Sequence, residues 1–209
     1  MLHKKLHSEI NKYFEEHQFD NPIFVQKPAV SSFKSGADTL VESPEGSGKT
    51  TALASVLIHQ LGAALNDVPR ALILTYNKEQ ADKLKDLLDE IGRFTNLRNF
   101  VVYPGPNLQK LKDSIYFGSD IVIGTPKRLN ELYSNNGLNF NDLKYFIIDD
   151  ANETIRPETL SLIDRLAGIK TESQKMLMCH TLNDNILRFA DMHMPLLKLI
   201  QYTDESSND

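Results

Sequence analysis

Ser43-Pro44-Glu45-Gly46-Ser47-Gly48-Lys49-Thr50 stands between an apolar run, Thr39–Val41, and a helical period that opens at Thr50. A strand that turns through glycines into a helix is the setting of a phosphate-binding loop. Gly46 and Gly48 allow backbone angles and close approach that a Cβ would block, so successive amides can point into one concavity. Lys49 offers a cation to β and γ phosphates and Thr50 a hydroxyl to Mg²⁺, while the helix N-terminus adds partial positive charge. The spacing departs from Gly-x-x-x-x-Gly-Lys-Thr at one place, where Ser43 stands for the first glycine. The chain is therefore expected to bind a nucleoside triphosphate with Mg²⁺ through Ser43, Glu45, Gly46, Ser47, Gly48, Lys49 and Thr50.

Such a site needs an acidic residue at the end of a second buried strand. Tyr145-Phe146-Ile147-Ile148-Asp149-Asp150 supplies one. Asp149 is expected to join Thr50 in holding Mg²⁺, usually through water. Asp150 is then placed to orient or deprotonate an attacking water. Lys49, Asp149 and Asp150 form the candidate catalytic set. Carboxyl ends of strands are where ligands gather in α/β sheets.

Outward from these two stretches the pattern is regular. Apolar runs recur at Thr39–Val41, Ala71–Leu74, Phe100–Tyr103, Ile121–Ile123, Tyr145–Ile148, Met176–Met178 and Leu196–Ile200. Helical periods at Thr50–Leu61, Lys78–Ile91, Leu108–Phe117, Pro126–Tyr133, Pro157–Leu166 and Asp184–Ala190 separate most of them. Strand and helix in alternation predict an α/β fold: a mostly parallel sheet with helices on both faces, its short strands buried on both sides. Residues 2–17 read as an amphipathic helix, and Asn21–Gly36 as loop with at most one short helix. Thr203–Asp209 is polar and acidic, a flexible tail or linker.

The 209 residues suffice for one large domain, and 41% hydrophobic with 24% charged residues is ordinary for a globular chain. A net charge of −5 argues against bulk attraction to nucleic acid but leaves room for a local basic strip. One cysteine, Cys179, excludes an internal disulfide and fits a reducing compartment. The apolar runs are too short to span a membrane and the start does not read as a secretory signal, so the expected location is intracellular, cytoplasmic or nuclear. His3 and His7 share a helical face, but no cysteine or carboxylate set completes a metal site with them.

With both motifs placed, the chain from about Phe19 to Ile200 resembles the N-terminal RecA-like domain of DEAD-box RNA helicases. Phe19-Asp20-Asn21-Pro22-Ile23-Phe24-Val25-Gln26 resembles the family's Q motif, which implies that Phe19 stacks on adenine and Gln26 reads its edge. Tyr76-Asn77-Lys78-Glu79-Gln80-Ala81 stands where the family has Pro-Thr-Arg-Glu-Leu-Ala, and Pro104-Gly105 where it has two glycines. Gly124-Thr125-Pro126-Lys127-Arg128 resembles the Thr-Pro-Gly-Arg motif, and Cys179-His180-Thr181 falls on Ser-Ala-Thr. The resemblance implies that Asn77, Lys78, Gly105, Thr125, Lys127 and Arg128 line a grip on the backbone of single-stranded RNA. Cations and turn donors at successive strand ends have the right chemistry for it. Alternatively, Arg128 pairs with Glu79 and braces these loops. Glu79, Asn152, Cys179, His180 and Thr181 would couple nucleotide to RNA.

The departures are uneven. The family motif reads Asp149-Asp150-Ala151-Asn152 here, so Asp150 replaces a catalytic glutamate and Asn152 an aspartate. One methylene less withdraws a carboxylate by roughly 1.3–1.5 Å, a displacement able to cost about 10²-fold in rate. Lys78 replaces an arginine and loses its bidentate fork. The groups that hold ATP and Mg²⁺ are kept, while those that hydrolyse ATP or couple it to RNA are changed. Binding with slow hydrolysis is the expectation, with a helicase-like scaffold for RNA or protein partners as the alternative. A small nucleotide kinase is a third reading, opposed by the lack of an arginine-bearing lid after the loop. Residues 19–202 are taken as the ATP-binding domain, residues 1–18 as a helix before it and residues 203–209 as the tail. A second RecA-like domain, in a longer chain or supplied separately, is expected for unwinding.

Overall fold

The computed structural model describes residues 8–17, 26–65, 67–105 and 107–202. Among them the strands are β1 (Thr39–Glu42), β2 (Ala71–Leu74), β3 (Asn99–Val102), β4 (Ile121–Gly124), β5 (Tyr145–Ile148), β6 (Gln174–Cys179) and β7 (Lys198–Gln201). They form one sheet in the order β3-β4-β2-β5-β6-β1-β7, every pairing parallel. The helices are α1 (Ser8–Glu16), α2 (Gln26–Lys34), α3 (Lys49–Leu61), α4 (Lys78–Ile91), α5 (Leu108–Tyr116), α6 (Pro126–Ser134), α7 (Ala151–Thr154), α8 (Pro157–Ala167) and α9 (Asp184–His193).

Period two in the strands sorts side chains into two cores. Val41, Ile73, Ile123, Ile147, Met176 and Met178 pack with Phe14 of α1, Phe33 of α2, Leu57 of α3 and Leu88 of α4. Leu40, Leu72, Val122, Phe146, Ile148 and Leu177 pack on the other face with Leu111 of α5, Leu129 of α6, Ile163 of α8 and Phe189 of α9. Burying each such side chain stabilises by about 1.5–3 kcal/mol, so the double-sided strands carry much of the fold.

Some boundaries differ from the sequence reading. β6 runs from Gln174, because Lys175, though charged, is buried with its ammonium on the carbonyls of Thr171 and Ser173 (2.9 Å each). α2 forms where loop was the main expectation. Pro28 falls in its first turn, where the missing N–H costs nothing, and Ala29, Val30 and Phe33 bury one face. β7 contradicts burial on both sides: as a sheet margin it leaves Lys198, Leu199 and Gln201 exposed. The expected helix at residues 2–17 is seen as α1 over its described part. His3, His7, Phe19 and the 203–209 tail lie outside the described residues, as does the side chain of Gln26.

At the amino ends of the strands, charge is paired and buried. Asp120, just before β4, is fully enclosed and accepts from Arg70 Nη2 (2.7 Å), Arg98 Nε (3.0 Å) and Arg98 N (3.1 Å). Arg70 also donates to the carbonyls of Leu61 (3.0 Å) and Ala63 (2.6 Å), closing the C-terminal end of α3. Burial raises the Asp120 pKa, yet the hydrogen bonds from Arg98 and Arg70 outweigh it and hold the carboxyl below its ordinary value.

Candidate functional site

Strand order sets what meets at the carboxyl edge. β5, β6 and β1 are neighbours, so the loops after them, with Asp149-Asp150, Cys179–Thr181 and Ser43–Thr50, lie side by side. Gly46 and Gly48 take left-handed angles (φ 74° and 75°) with open space where a Cβ would stand on Gly46. A side chain at either position would strain the turn that aims the amides inward. Lys49 is buried; its ammonium donates to the Ser43 carbonyl and to Pro44 O at 2.7 Å. Burial pushes its pKa down, while the charges of Asp150, Cys179, Asp149 and Glu45 push it up.

Asp149 lies at the end of β5 with 5% of its surface exposed. Thr50 Oγ1 stands 3.4 Å from each of its carboxylate oxygens, at the outer limit of a hydrogen bond. Burial first, and then the neighbouring Asp150, push the Asp149 carboxyl up to about 7. Asp150 adopts a left-handed backbone (φ 46°, ψ 60°) and is half-buried, with its pKa also raised by burial. Strain of that kind collects at functional sites. The hydroxyls of Ser43 and Ser47 are buried without a partner.

These observations test the fit to a metal-bound triphosphate. A buried carboxylate faces a hydroxyl rather than a cation, and the adjoining loop carries orphaned hydroxyl donors and left-handed glycines. Thr50 and Asp149 have the donor chemistry of a Mg²⁺ site, oxygen ligands of high charge density. Among the described residues no cluster of three or more His, Cys, Asp and Glu gathers for a metal.

Three of the residues expected to couple nucleotide to RNA are joined by hydrogen bonds. Asn152 Oδ1 accepts from His180 N (2.9 Å) and Thr181 N (3.5 Å), and its Nδ2 donates to Thr181 O (2.6 Å). An aspartate there could accept but not donate. On the other side Glu42 Oε1 accepts from Leu182 N (2.9 Å) and Oε2 from Gln201 Nε2 (2.7 Å). The segment 180–182 is thus pinned from both flanks. Glu42 escaped the sequence reading; its only signal was a carboxylate ending an apolar strand beside the phosphate loop. Cys179 is buried with Sγ 3.4 Å from Val41 O, and burial drives its thiol up to about 12, so it is inert rather than reactive.

The remaining candidates sit after β2, β4 and β3, the other half of the same edge. Asn77 caps α4, its Oδ1 accepting from Gln80 N at 2.9 Å. The Lys78 ammonium lies over the Tyr103 ring (4.3 Å to the centroid) and 3.8 Å from Asp82. Glu79 pairs with Lys83 at 2.7 Å, and Arg128, largely buried, donates to Glu131, so the pairing of Arg128 with Glu79 is not what this structure has. The reason is local: α4 and α6 each supply a partner one turn away. Lys127 is exposed, Thr125 precedes α6, and Gly105 (φ 117°) is exposed with space around it. Gly124, which the sequence reading did not single out as a site residue, is needed because a Cβ there would stand 2.7 Å from Val102 O.

The family model described as DEAD/DEAH box helicase matches residues 23–189. Similar proteins include the ATP-dependent RNA helicase DBP10 of Phaeosphaeria nodorum, 29% identical over 90% of this chain and 22% of its own length. The ATP-dependent RNA helicase eIF4A of Encephalitozoon cuniculi is 27% identical over 90% of this chain and 45% of its own. The chain spans less than half of each. In fold it is similar to a DEAD box protein from Methanococcus jannaschii (TM-score 0.88, 24% identity, 95% of this chain and 54% of that one). The yeast splicing factor Prp28 is also similar (TM-score 0.85, 19% identity, 98% of this chain and 51% of that one). Among the described residues no helix is long and apolar enough to cross a membrane.

Proposed function

The chain belongs to the DEAD/DEAH box helicase family, and from that membership we propose that it is the ATP-binding half of an RNA helicase core, acting inside the cell. The observation that carries the reading is Asp149: a buried carboxylate pushed up to about 7, facing Thr50, beside a glycine-turned loop with Lys49. Ser43, Glu45, Gly46, Ser47, Gly48, Lys49 and Thr50 surround the phosphates, and Phe19 and Gln26 select adenine. Thr50 and Asp149 would hold Mg²⁺, which would supply positive charge to offset that of the phosphates.

Lys49 leaves the Ser43 and Pro44 carbonyls for the phosphates. Asp150 orients the attacking water, and does so poorly, being short by a methylene, with its pKa raised by burial. Hydrolysis is therefore slow. The half-edge after β2, β4 and β3 grips single-stranded RNA through Asn77, Lys78, Gly105, Thr125 and Lys127, with the largely buried Arg128 shaping the loop from its pair with Glu131. Asn152, Glu79, Cys179, His180 and Thr181 link the two halves. Residues 19–202 act as the unit that meets a second RecA-like domain, without which this domain does not unwind duplex RNA.

Calorimetric titration with ATP and MgCl₂ tests the reading. Binding to the wild type that is lost in Lys49→Ala supports it; no binding at millimolar ATP sinks it. ATP turnover with and without single-stranded RNA, comparing wild type and Asp150→Glu, separates the slow enzyme from a helicase-like scaffold. A gain in Asp150→Glu supports the enzyme, and turnover absent from both supports the scaffold.

A further inference from the structure

We propose that Glu42 is a positioning residue of the nucleotide site: its carboxylate ties the phosphate loop to the segment that opens α9, so that occupancy of the loop is felt at Leu182. The inference rests on the nucleotide reading above and concerns a residue outside the motifs that carry it.

Glu42 is the last residue of β1, and the phosphate loop starts at the next residue, Ser43. In register it stands between Cys179 of β6 and Gln201 of β7. The main chain is tied on both sides here: Ser43 N donates to Cys179 O (3.1 Å) and Tyr202 N to Glu42 O (2.9 Å). Period two puts the Glu42 side chain on the same face as Leu40, the face that α9 covers. There Oε1 accepts from Leu182 N (2.9 Å) and Oε2 from Gln201 Nε2 (2.7 Å). Leu182 directly precedes Asn183, whose Oδ1 caps α9 by accepting from Ile186 N (3.0 Å). One carboxylate at the root of the phosphate loop thus fixes the approach to α9, and Gln201 braces it from β7.

The loop has two arrangements. In this structure Lys49 donates to the carbonyls of Ser43 and Pro44, and with nucleotide bound its ammonium moves to the phosphates. The Ser43 peptide, next to Glu42, is therefore where occupancy is registered. An opening that frees Leu182 N must break its bond to Glu42 and loosen the root of the loop. A ligand that binds only the closed loop suppresses that opening as well, by linkage. A carboxylate acceptor makes such a bond about twice as strong as a neutral one, which suits it to carry the link. At the other flank Asn152 holds His180 N and Thr181 O. The segment 180–182 is then held between β1 and β5, the strands that end at the phosphate loop and at Asp149.

The test is amide hydrogen exchange, read by NMR on the whole 209-residue chain with and without ATP and MgCl₂. The Ala52 amide, bonded to Gly48 O at 2.9 Å, reports the loop, and the amides of β3 at the far margin of the sheet report global stabilisation. With nucleotide at about ten times its Kd, exchange at both Ala52 and Leu182 in the wild type should slow by about tenfold more than in β3. In Glu42→Ala the slowing at Ala52 should persist while that at Leu182 falls below about twofold. Glu42→Thr, too short to reach Leu182 but favourable in a strand, gives the same reading should Glu42→Ala not fold. Glu42→Gln keeps an oxygen for Leu182 N and should keep the wild-type response. A bond that merely closes the strand end would alter exchange at Leu182 equally with and without nucleotide. A Leu182 amide that ignores nucleotide in the wild type, or still follows it in the truncated variants, overturns this inference and leaves the nucleotide reading standing. Loss of the response in Glu42→Gln overturns it too, since a loosened sheet end would then be the cause. A wild type in which nucleotide slows neither Ala52 nor Leu182 overturns the nucleotide reading and this inference together.

Discussion

Asp120 and Asp149 are buried carboxylates at opposite ends of the same parallel strands, and their surroundings are opposed. Asp120 has two guanidinium groups and a backbone amide on it and is held below its ordinary pKa. Asp149 has a hydroxyl at 3.4 Å, the Asp150 amide and the charge of Lys49 against burial and a second carboxylate, and these do not suffice: it is pushed up to about 7. The amino edge is a finished piece of structure, stable as it stands. The carboxyl edge keeps an unmet electrostatic demand, and that demand is what a ligand can satisfy. Burial alone does not mark a site; burial with too little counter-charge does.

The largest effect should come from breaking the finished end. Asp120→Ala leaves Arg70 buried opposite nothing, and urea denaturation should show a loss of about 3–5 kcal/mol. A loss below about 1 kcal/mol would erase the contrast. The opposite sign is expected at the other end. Asp149→Asn relieves a carboxylate that costs folding energy when ionised, so the ligand-free protein should gain about 2–4 kcal/mol at pH 8. The same variant should lose Mg²⁺-dependent ATP binding in a titration.

The pH dependence sharpens the contrast further. Folded Asp149 keeps its proton to about pH 7, while the unfolded group releases it near its ordinary value of 3.8. Folding therefore takes up a proton between those values. Its contribution is whole below the lower value and is lost as pH rises through the higher one, at up to about 1.4 kcal/mol per unit. Asp120 runs the other way: its stabilisation is present at neutral pH and is lost as pH falls through its lowered folded value. Melting curves from pH 4.5 to 7.5 should show a downward slope that Asp149→Asn flattens and MgCl₂ with ATP reduces. The smallest effect belongs to Asn152→Ala, which removes the clasp on His180 and Thr181. A loss of about 1–2 kcal/mol is expected, with faster hydrogen exchange at the His180 and Thr181 amides.

The sequence made the carboxyl edge legible because its chemistry is local. Ser43–Thr50 and Tyr145–Asp150 are contiguous stretches whose residue types and spacing carry their roles, and the apolar strands around them announce themselves by length. The finished end was not legible. Arg70, Arg98 and Asp120 are far apart in the chain, each at a strand start where a charge reads as solvated, and only the order β3-β4-β2 brings them together. The same holds for Glu42, whose partners Leu182 and Gln201 arrive from the loop after β6 and from the end of β7. Arg128 was less legible for a related reason: composition at strand ends says that it is a cation, not that it is largely buried and paired with Glu131.

Cys179 closes the carboxyl end of β6, between β1 and β5, and is the sole thiol in the chain. Buried and driven to about 12, it cannot meet a soluble alkylating reagent while the sheet is closed. Its modification rate is then a clock for opening of the strands that carry both halves of the nucleotide site. Without any added label, that clock would time how firmly a bound nucleotide ties those strands shut.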